Sequence, residues 1–402
     1  MTRKVCPRIP SGLRWADGAG DDPVRVGGMR VVVAPDKFKG SVTAAEAAAA
    51  LSAGLLMARP DLEVAEVPVA DGGDGTVAAA LAAGFEPVTV MVEGPVGEQV
   101  TSVIAVREGT AVIELASAAG LRCLPGTSPT RRTAVTASTY GGGQLIAAAL
   151  DRHAGTIVLG LGGSASTDGG AGMVQALGVG LSTSDGLALP RGGAALADLA
   201  AIDVSGLDGR LSAVRLLVAS DVDNPLLGPE GAAAVFGPQK GAGPDQVPML
   251  EQGLRRWAGL TAEATGHDLA GAPGAGAAGG TGFAAMAYLG ATLTSGVSLV
   301  LDLVGFDAAL DGADLVVTGE GSLDRQTLSG KAPLGVARAA RRRGLPVVAV
   351  AGQVLLDAAE LDAAGFAAAW ALTDAEPDPV ASMARAPELL EQAGARIAAV
   401  LT

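Results

Sequence analysis

The sequence predicts an α/β protein in two parts, one formed by both ends of the chain and one inserted between them. Three observations lead there. Short β-branched runs alternate with alanine-rich helical stretches at the start of the chain and again over its last third. Between them, residues 87–115 hold three short alternating runs separated by turn signals, the pattern of antiparallel pairing. The run Leu315, Val316, Val317, like at least four other stretches, gives way to a glycine-containing loop with carboxylates or a lysine. In open α/β sheets ligands sit at the carboxyl ends of strands, so such loops are placed for an anionic ligand and a metal.

In chain order, residues 1–28 are polar and without periodicity, and read as a disordered leader. MRVVVAPDKFKG is a strand followed by a loop, and Thr43 with Glu46 forms a capping box for a helix to about Met57, ended by Pro60. A strand over 64–69 runs into ADGGDGT at 70–76 and a helix to about Ala83. The alternating runs follow at 88–92, 100–106 and 111–114. After a loop with Thr130, Arg131 and Arg132, ASTYGGGQLIAAAL is a glycine turn feeding a helix. A strand over 156–161 leads into GLGGSASTDGGAGM and a further helix, and one over 214–219 ends in SDVDNPLLG, followed by FGPQKGA. A helix from about Val247 to Thr265 precedes GAPGAGAAGGTGF, which is bounded by apolar helices and reads as a close-packed loop. Strands at 315–318, 346–351 and 368–372, with helices at 332–342 and up to Val400, complete the alternation. The expected division is 29–85 with 295–402 as one domain and 86–294 as the insertion.

Composition narrows the function. Of the 402 residues 49% are hydrophobic and only 3% aromatic, so Ala, Val and Leu must build the core, and 59 glycines leave many places for close backbone approach. No apolar run reaches the roughly 18 residues that span a bilayer and no signal pattern opens the chain, so a cytoplasmic location without membrane contact is expected. Cys6 and Cys123 support neither a disulfide framework nor a thiolate metal site. A net charge of -14 argues against nucleic acid as a partner, because binding there rests on neutralising phosphates. An acidic chain can still take a small anion if a metal or a few placed cations supply local positive charge. The only lysines are Lys4, Lys37, Lys39, Lys240 and Lys331, and the last four lie in glycine-containing loops of an otherwise arginine-using chain, where a compact point charge is useful.

Each loop has a chemical reading and a plainer one. In GLGGSASTDGG, Gly162 and Gly163 let amides converge on phosphate while Ser164 and Ser166 add hydroxyls; otherwise it is a tight turn with Asp168 as a helix cap. ADGGDGT places Asp71 and Asp74 near enough to share a hard cation such as Mg²⁺, or to cap a turn. APDKFKG offers Lys37 and Lys39 to a phosphate or carboxylate, and SDVDNPLLG offers Asp221, Asp223 and Asn224 as ligands or as an Asx turn. FGPQKGA offers Lys240, and GEGSLDRQTLSGK offers Glu320, Asp324, Arg325 and Lys331. There is no Walker-type P-loop, since Lys331 precedes Ala332, and no zinc or G-x-S-x-G constellation. Gly274, Gly276 and Gly279 match G-x-G-x-x-G without a preceding strand. His153 and His267 lie outside every motif, which leaves base catalysis to a carboxylate.

Taken in order from Met29 to the C-terminus, APDKFKGS, VPVADGGDGT, GLGGSASTDGGAGM, DVDNPL, FGPQKGA and GAGAAGGTGF followed by TGEGSLDRQTLSGKAP resemble the bacterial type 1 glycerate kinases. Two departures are Gln144, where many members carry Glu, and Ser322, where many carry Arg. The resemblance implies two unlike α/β domains, one doubly wound and Rossmann- or flavodoxin-like with a mainly parallel sheet, the other mixed and inserted into it. It also implies ATP and D-glycerate as substrates, with 2-phosphoglycerate the favoured product. Phosphoryl transfer asks mainly for positioning and charge neutralisation. On that basis Mg²⁺ is expected on Asp74, Asp221 and Glu320, and ATP on Gly162, Gly163, Ser164, Ser166, Lys39 and Lys240. Glycerate is expected at Asn224, Asp324 and Arg325, with Lys37 and Lys331 neutralising charge and Asp168, or else Asp71, taking the hydroxyl proton. All are expected in one cleft of a monomer or homodimer. Two other readings are a galactokinase-like small-molecule kinase, and a two-lobed sensor of sugar acids or nucleotides that gains nothing from so many loop carboxylates.

Overall fold

The structure, a computed structural model, describes residues 28–401, so the leader with Lys4 and Cys6 lies outside the described residues. In chain order its strands are β1 (Arg30–Pro35), β2 (Glu63–Glu66), β3 (Glu86–Glu93), β4 (Gln99–Arg107), β5 (Thr110–Glu114), β6 (Thr156–Gly160) and β7 (Gly180–Ser182). They continue with β8 (Ala201–Asp203), β9 (Arg215–Ala219), β10 (Thr292–Thr294), β11 (Leu315–Leu323), β12 (Val347–Val354) and β13 (Ala368–Ala371). The chain divides into two compact units, Met1–Asp71 with Val300–Thr402, and Gly72–Leu299.

The first unit is built on a parallel sheet ordered β13-β12-β11-β1-β2. Its strands are unbroken apolar runs because helices cover them: Val31, Val33, Leu315, Val317, Val348 and Val350 are buried with Leu51, Leu55, Leu390 and Ile397. The helix Ala44–Ala58 opens with the expected capping box, in which the Thr43 hydroxyl accepts from the Glu46 amide at 3.2 Å and Glu46 accepts from the Thr43 amide at 2.8 Å. This helix packs on Ala386–Val400 so closely that a Cβ at Gly54 would lie 1.8 Å from the Glu391 carbonyl oxygen. From β1 the chain moves outward to β2, whereas from β11 it moves the other way to β12 and β13. Strand order therefore reverses between β1 and β11, the place where sheets of this class bind ligands.

The second unit carries a mixed sheet, β10-β9-β6-β5-β4-β3, antiparallel across β3, β4 and β5 and parallel from β5 to β10, with β7 and β8 pairing apart from it. Its core holds Ile104, Ile113, Leu145, Ile157, Leu159, Trp257 and Phe283. The glycine-rich stretch 271–283 is close-packed from Gly274 onward: it enters the helix Ala277–Leu289 through Ala278, Gly279 and Gly280, all at positive φ, with Gly279 and Gly280 buried.

Two boundaries differ from those read in the sequence. The units divide at Asp71 rather than 85, because the helix Thr76–Ala82 packs on β4 and β5, and at Leu299 rather than 294. Glu114, at the end of β5, fastens that turn by accepting from the amides of Gly75 at 2.9 Å and Val77 at 2.8 Å. Strand β11 also does not end before Gly-Glu-Gly: it pairs with β12 as far as Leu323 opposite Val354, so Glu320 is a strand residue.

Candidate active site

In the first unit a group of charged side chains gathers at the reversal between β1 and β11. Asp36 follows β1 directly, is 5% exposed, and accepts from the Lys37 amide at 2.6 Å. Burial pushes its carboxyl up to about 7; the charge of Lys37 opposes this, and those of Asp71 and Glu320 add to it. The Lys37 ammonium lies 3.9 Å from the same carboxylate. Across the strand pair Glu320 is 5% exposed and accepts from the Thr327 hydroxyl, with the Lys331 ammonium 3.5 Å from its other oxygen. Burial raises the Glu320 pKa, while Thr327 and Lys331 pull it back.

The loop after β11 is organised by Asp324. It accepts from the Gln326 amide at 2.8 Å and the Ser322 hydroxyl at 3.2 Å, and lies 4.0 Å from Lys331. Lys331 occupies the N-cap position of the helix Ala332–Arg342, whose Pro333 suits a first-turn position without an amide donor. Of the residues expected here, Asp71, Lys37, Glu320, Asp324 and Lys331 belong to this group. Lys39 is exposed, and Arg325 is exposed and bonded to Glu360 at 3.1 Å.

The second unit has its own group at the ends of β6 and β9. A Cβ at Gly160 would meet the Gly72 carbonyl oxygen at 2.6 Å, and one at Gly162 would meet the Gly73 Cα at 2.7 Å, so the Asp74 turn lies directly on the Gly-Ser loop. Asp74 is ion-paired with Arg122. Asp221 is exposed and accepts from the Gly296 amide at 3.1 Å, and Asn224 donates to the Glu230 carbonyl at 2.8 Å. The loop itself is held by backbone bonds from Leu121 to Gly163 at 3.0 Å and from Ala165 to Ala119 at 2.8 Å. Gly162 and Gly163 are exposed, and their amides donate to no acceptor among the described residues, which leaves them free for phosphate oxygens.

Two residues expected in the site, Asp168 and Lys240, are buried here. Asp168 is fully buried, and its oxygens accept from the Thr139 amide at 2.8 Å, the Thr139 hydroxyl at 2.9 Å, and the amides of Gly172 at 3.2 Å and Gly170 at 3.3 Å. A carboxylate so enclosed anchors the turn and offers no face to a substrate hydroxyl. Lys240 is 3% exposed and reaches the loop from within, donating to the Ser164 hydroxyl at 2.9 Å and the Ser166 carbonyl at 2.6 Å. Burial pushes its pKa down to about 7, against the charge of Asp168. Lys240 thus braces the loop from within.

Among the described residues no three His, Cys, Asp or Glu side chains form a group that could hold a metal ion. Mg²⁺ needs no such group when phosphates are present, since it keeps waters and takes one or two carboxylates beside phosphate oxygens. Several positions that matter escape the sequence reading. Asp36 lies within a quoted motif but outside the expected site set, and Glu114, Thr139 and Thr327 carry no local signal, since their partners lie along the chain at distances that only folding closes.

The sequence profile described as the Glycerate kinase family matches residues 31–402. The chain belongs to the glycerate kinase family. It is 43% identical to the "Glycerate kinase" of Bacillus subtilis over 92% of this chain and 97% of that one. It is 44% identical to the "Glycerate 2-kinase" of Escherichia coli over 82% of this chain and 86% of that one. A crystal structure of a glycerate kinase 2 candidate from Salmonella typhimurium LT2 superposes with a TM-score of 0.81 at 41% identity, covering 93% of this chain and 98% of that one. Membership bears out the resemblance seen in the motifs and makes the chain an enzyme of the kinase class. Among the described residues no helix is long and apolar enough to cross a membrane.

Proposed function

We propose that this glycerate kinase family member transfers the γ-phosphoryl group of ATP to D-glycerate with Mg²⁺, giving 2-phosphoglycerate. The observation that carries the reading is the cluster of Asp36, Asp71, Glu320, Lys37 and Lys331 at the strand-order reversal of the first unit. Carboxylates there can take a proton, and the two lysines can neutralise a substrate carboxylate and the charge that grows on a transferring phosphoryl group. The free amides of Gly162 and Gly163 in the second unit bind nucleotide phosphates, with Lys240 fixing the loop beneath them. Asp221 would hold Mg²⁺ accompanying those phosphates, which lowers the charge carried by the triphosphate.

With Asp168 enclosed, Asp71 accepts the glycerate hydroxyl proton. Asp36, held near neutrality by its surroundings, keeps a second proton acceptor beside it. Glu320 and Thr327 position Lys331 rather than binding metal. The names of the relatives, one a glycerate 2-kinase, support the substrate and the 2-position.

The test is phosphorus NMR of the product formed from ATP, Mg²⁺ and D-glycerate, beside a panel of other hydroxy acids. The 2-phosphate signal is expected with D-glycerate, and a 3-phosphate signal would overturn the regiochemistry. In the same assay Asp71→Asn lowers kcat by about a hundredfold or more; turnover at the wild-type rate would remove Asp71 from the role.

A further inference from the structure

Away from these loops the second unit holds an open, solvent-accessible cavity of about 460 Å³, within the usual size of small-ligand sites. It lies between the turn joining β3 to β4, the helix Arg131–Thr136 and the start of the helix Tyr140–Asp151, and it shares no lining residue with the loops described above. Pro95, Val96 and Pro125 supply apolar wall, and Arg132 and Arg191 supply charge. The Arg132 side chain makes no hydrogen bond or ion pair among the described residues. Arg191 is committed differently: it pairs with Glu93 and lies over the Tyr140 ring, 3.3 Å from its centroid. The pair and the stack hold that guanidinium at the wall, and Glu93 cancels one of the two positive charges. Ser138 is buried in the same wall and accepts from the Tyr140 amide at 3.2 Å, which leaves its hydroxyl proton available.

We propose that this cavity is a binding site for a small organic oxyanion, whose phosphate or carboxylate group pairs with Arg132 while its body lies against Pro95, Val96 and Pro125. A guanidinium offers a planar fork of donors that matches either group in two parallel hydrogen bonds. One uncancelled positive charge, a hydroxyl donor and an apolar wall suit an organic anion better than an inorganic polyanion. The inference goes beyond the kinase reading and does not rest on it. The site also has a route to the Gly-Ser loop. Thr139, between the lining residues Ser138 and Tyr140, is the residue that donates twice to Asp168, so a ligand that shifts this segment shifts the anchor of the loop.

Calorimetric titration of the full-length protein tests this without turnover. The probes are 2-phosphoglycerate, a non-hydrolysable ATP analogue and D-glycerate, each offered to wild type, Arg132→Ala and Arg132→Lys. The expected result is that Kd for at least one probe rises about tenfold or more in Arg132→Ala and is partly restored in Arg132→Lys. The affected probe identifies the source of the anion: loss with D-glycerate marks a carboxylate site, and loss confined to the other two marks a phosphate site. Arg132 is exposed and lies in the first turn of its helix, so a matching circular dichroism spectrum is expected for both variants. Because the three probes are also ligands of the proposed kinase site, the number of binding steps is read with Kd: the affected step weakens or disappears in Arg132→Ala, and the same number of steps with unchanged Kd for all three probes in that correctly folded variant would overturn the proposal. Binding is read apart from catalysis, so a failed kinase assay would leave this result standing and the reverse also holds.

Discussion

Asp36 shows how a single buried carboxylate sets a pH dependence. Its pKa rises from 3.8 to about 7, so between those values the folded state binds a proton that the unfolded chain has released. The sign follows: the stabilisation is complete below about pH 4 and is lost as pH rises through about 7. Asp36→Asn removes the titration, and its melting temperature is expected to vary less than wild type over that window and to exceed wild type at pH 8. Equal slopes in the two proteins, read by differential scanning calorimetry, would contradict the assignment. Asp168 makes the opposite point. The sequence reading offered it as base or as helix cap; in the structure four donors surround a fully buried carboxylate, which anchors the turn before the helix whose N-cap position is Gly170. No local pattern separates these roles, because Thr139 lies 29 positions away in sequence.

At the scale of elements, the Gly-Ser loop depends on backbone contacts that side chains would obstruct. Gly169 has a φ of +66°, and a Cβ there would lie 2.6 Å from the Trp257 ring, whose Nε1 donates to the Gly169 carbonyl at 3.0 Å. Gly169→Ala is therefore expected to destabilise by about 1–3 kcal/mol in urea unfolding; stability equal to wild type would contradict the packing. The longer strands, the Thr43–Glu46 capping box and the antiparallel run at 87–115 were legible because period, cap chemistry and turn residues are local signals. The extent of β11 was not: Gly-Glu-Gly reads as a turn, yet register with β12 carries the strand through it. Lys240 was legible as special but not as buried, since its partners Ser164 and Ser166 come from a loop far back in the chain. The split of the insertion at Asp71 was hidden for a similar reason, resting on Glu114 and the amides it accepts from.

For the molecule as a whole, a net charge of -14 and carboxylate-rich loops oppose free ATP, and the proposed function therefore calls for a divalent cation to accompany the triphosphate. Each unit supplies a different need: the first a set of coupled carboxylates and lysines at a sheet reversal, the second exposed amides in a braced glycine loop. Membership of the glycerate kinase family was legible from seven motifs in order, whereas the work of individual side chains was not. The measurement that bears most directly on the whole is ADP release by the full-length protein with ATP and D-glycerate, with Mg²⁺ and then with EDTA. Release that requires both D-glycerate and Mg²⁺, at about 1–100 per second as small kinases show, is the expected result. ADP release that does not respond to D-glycerate, or binding of both ligands by folded protein without any turnover, would contradict the account.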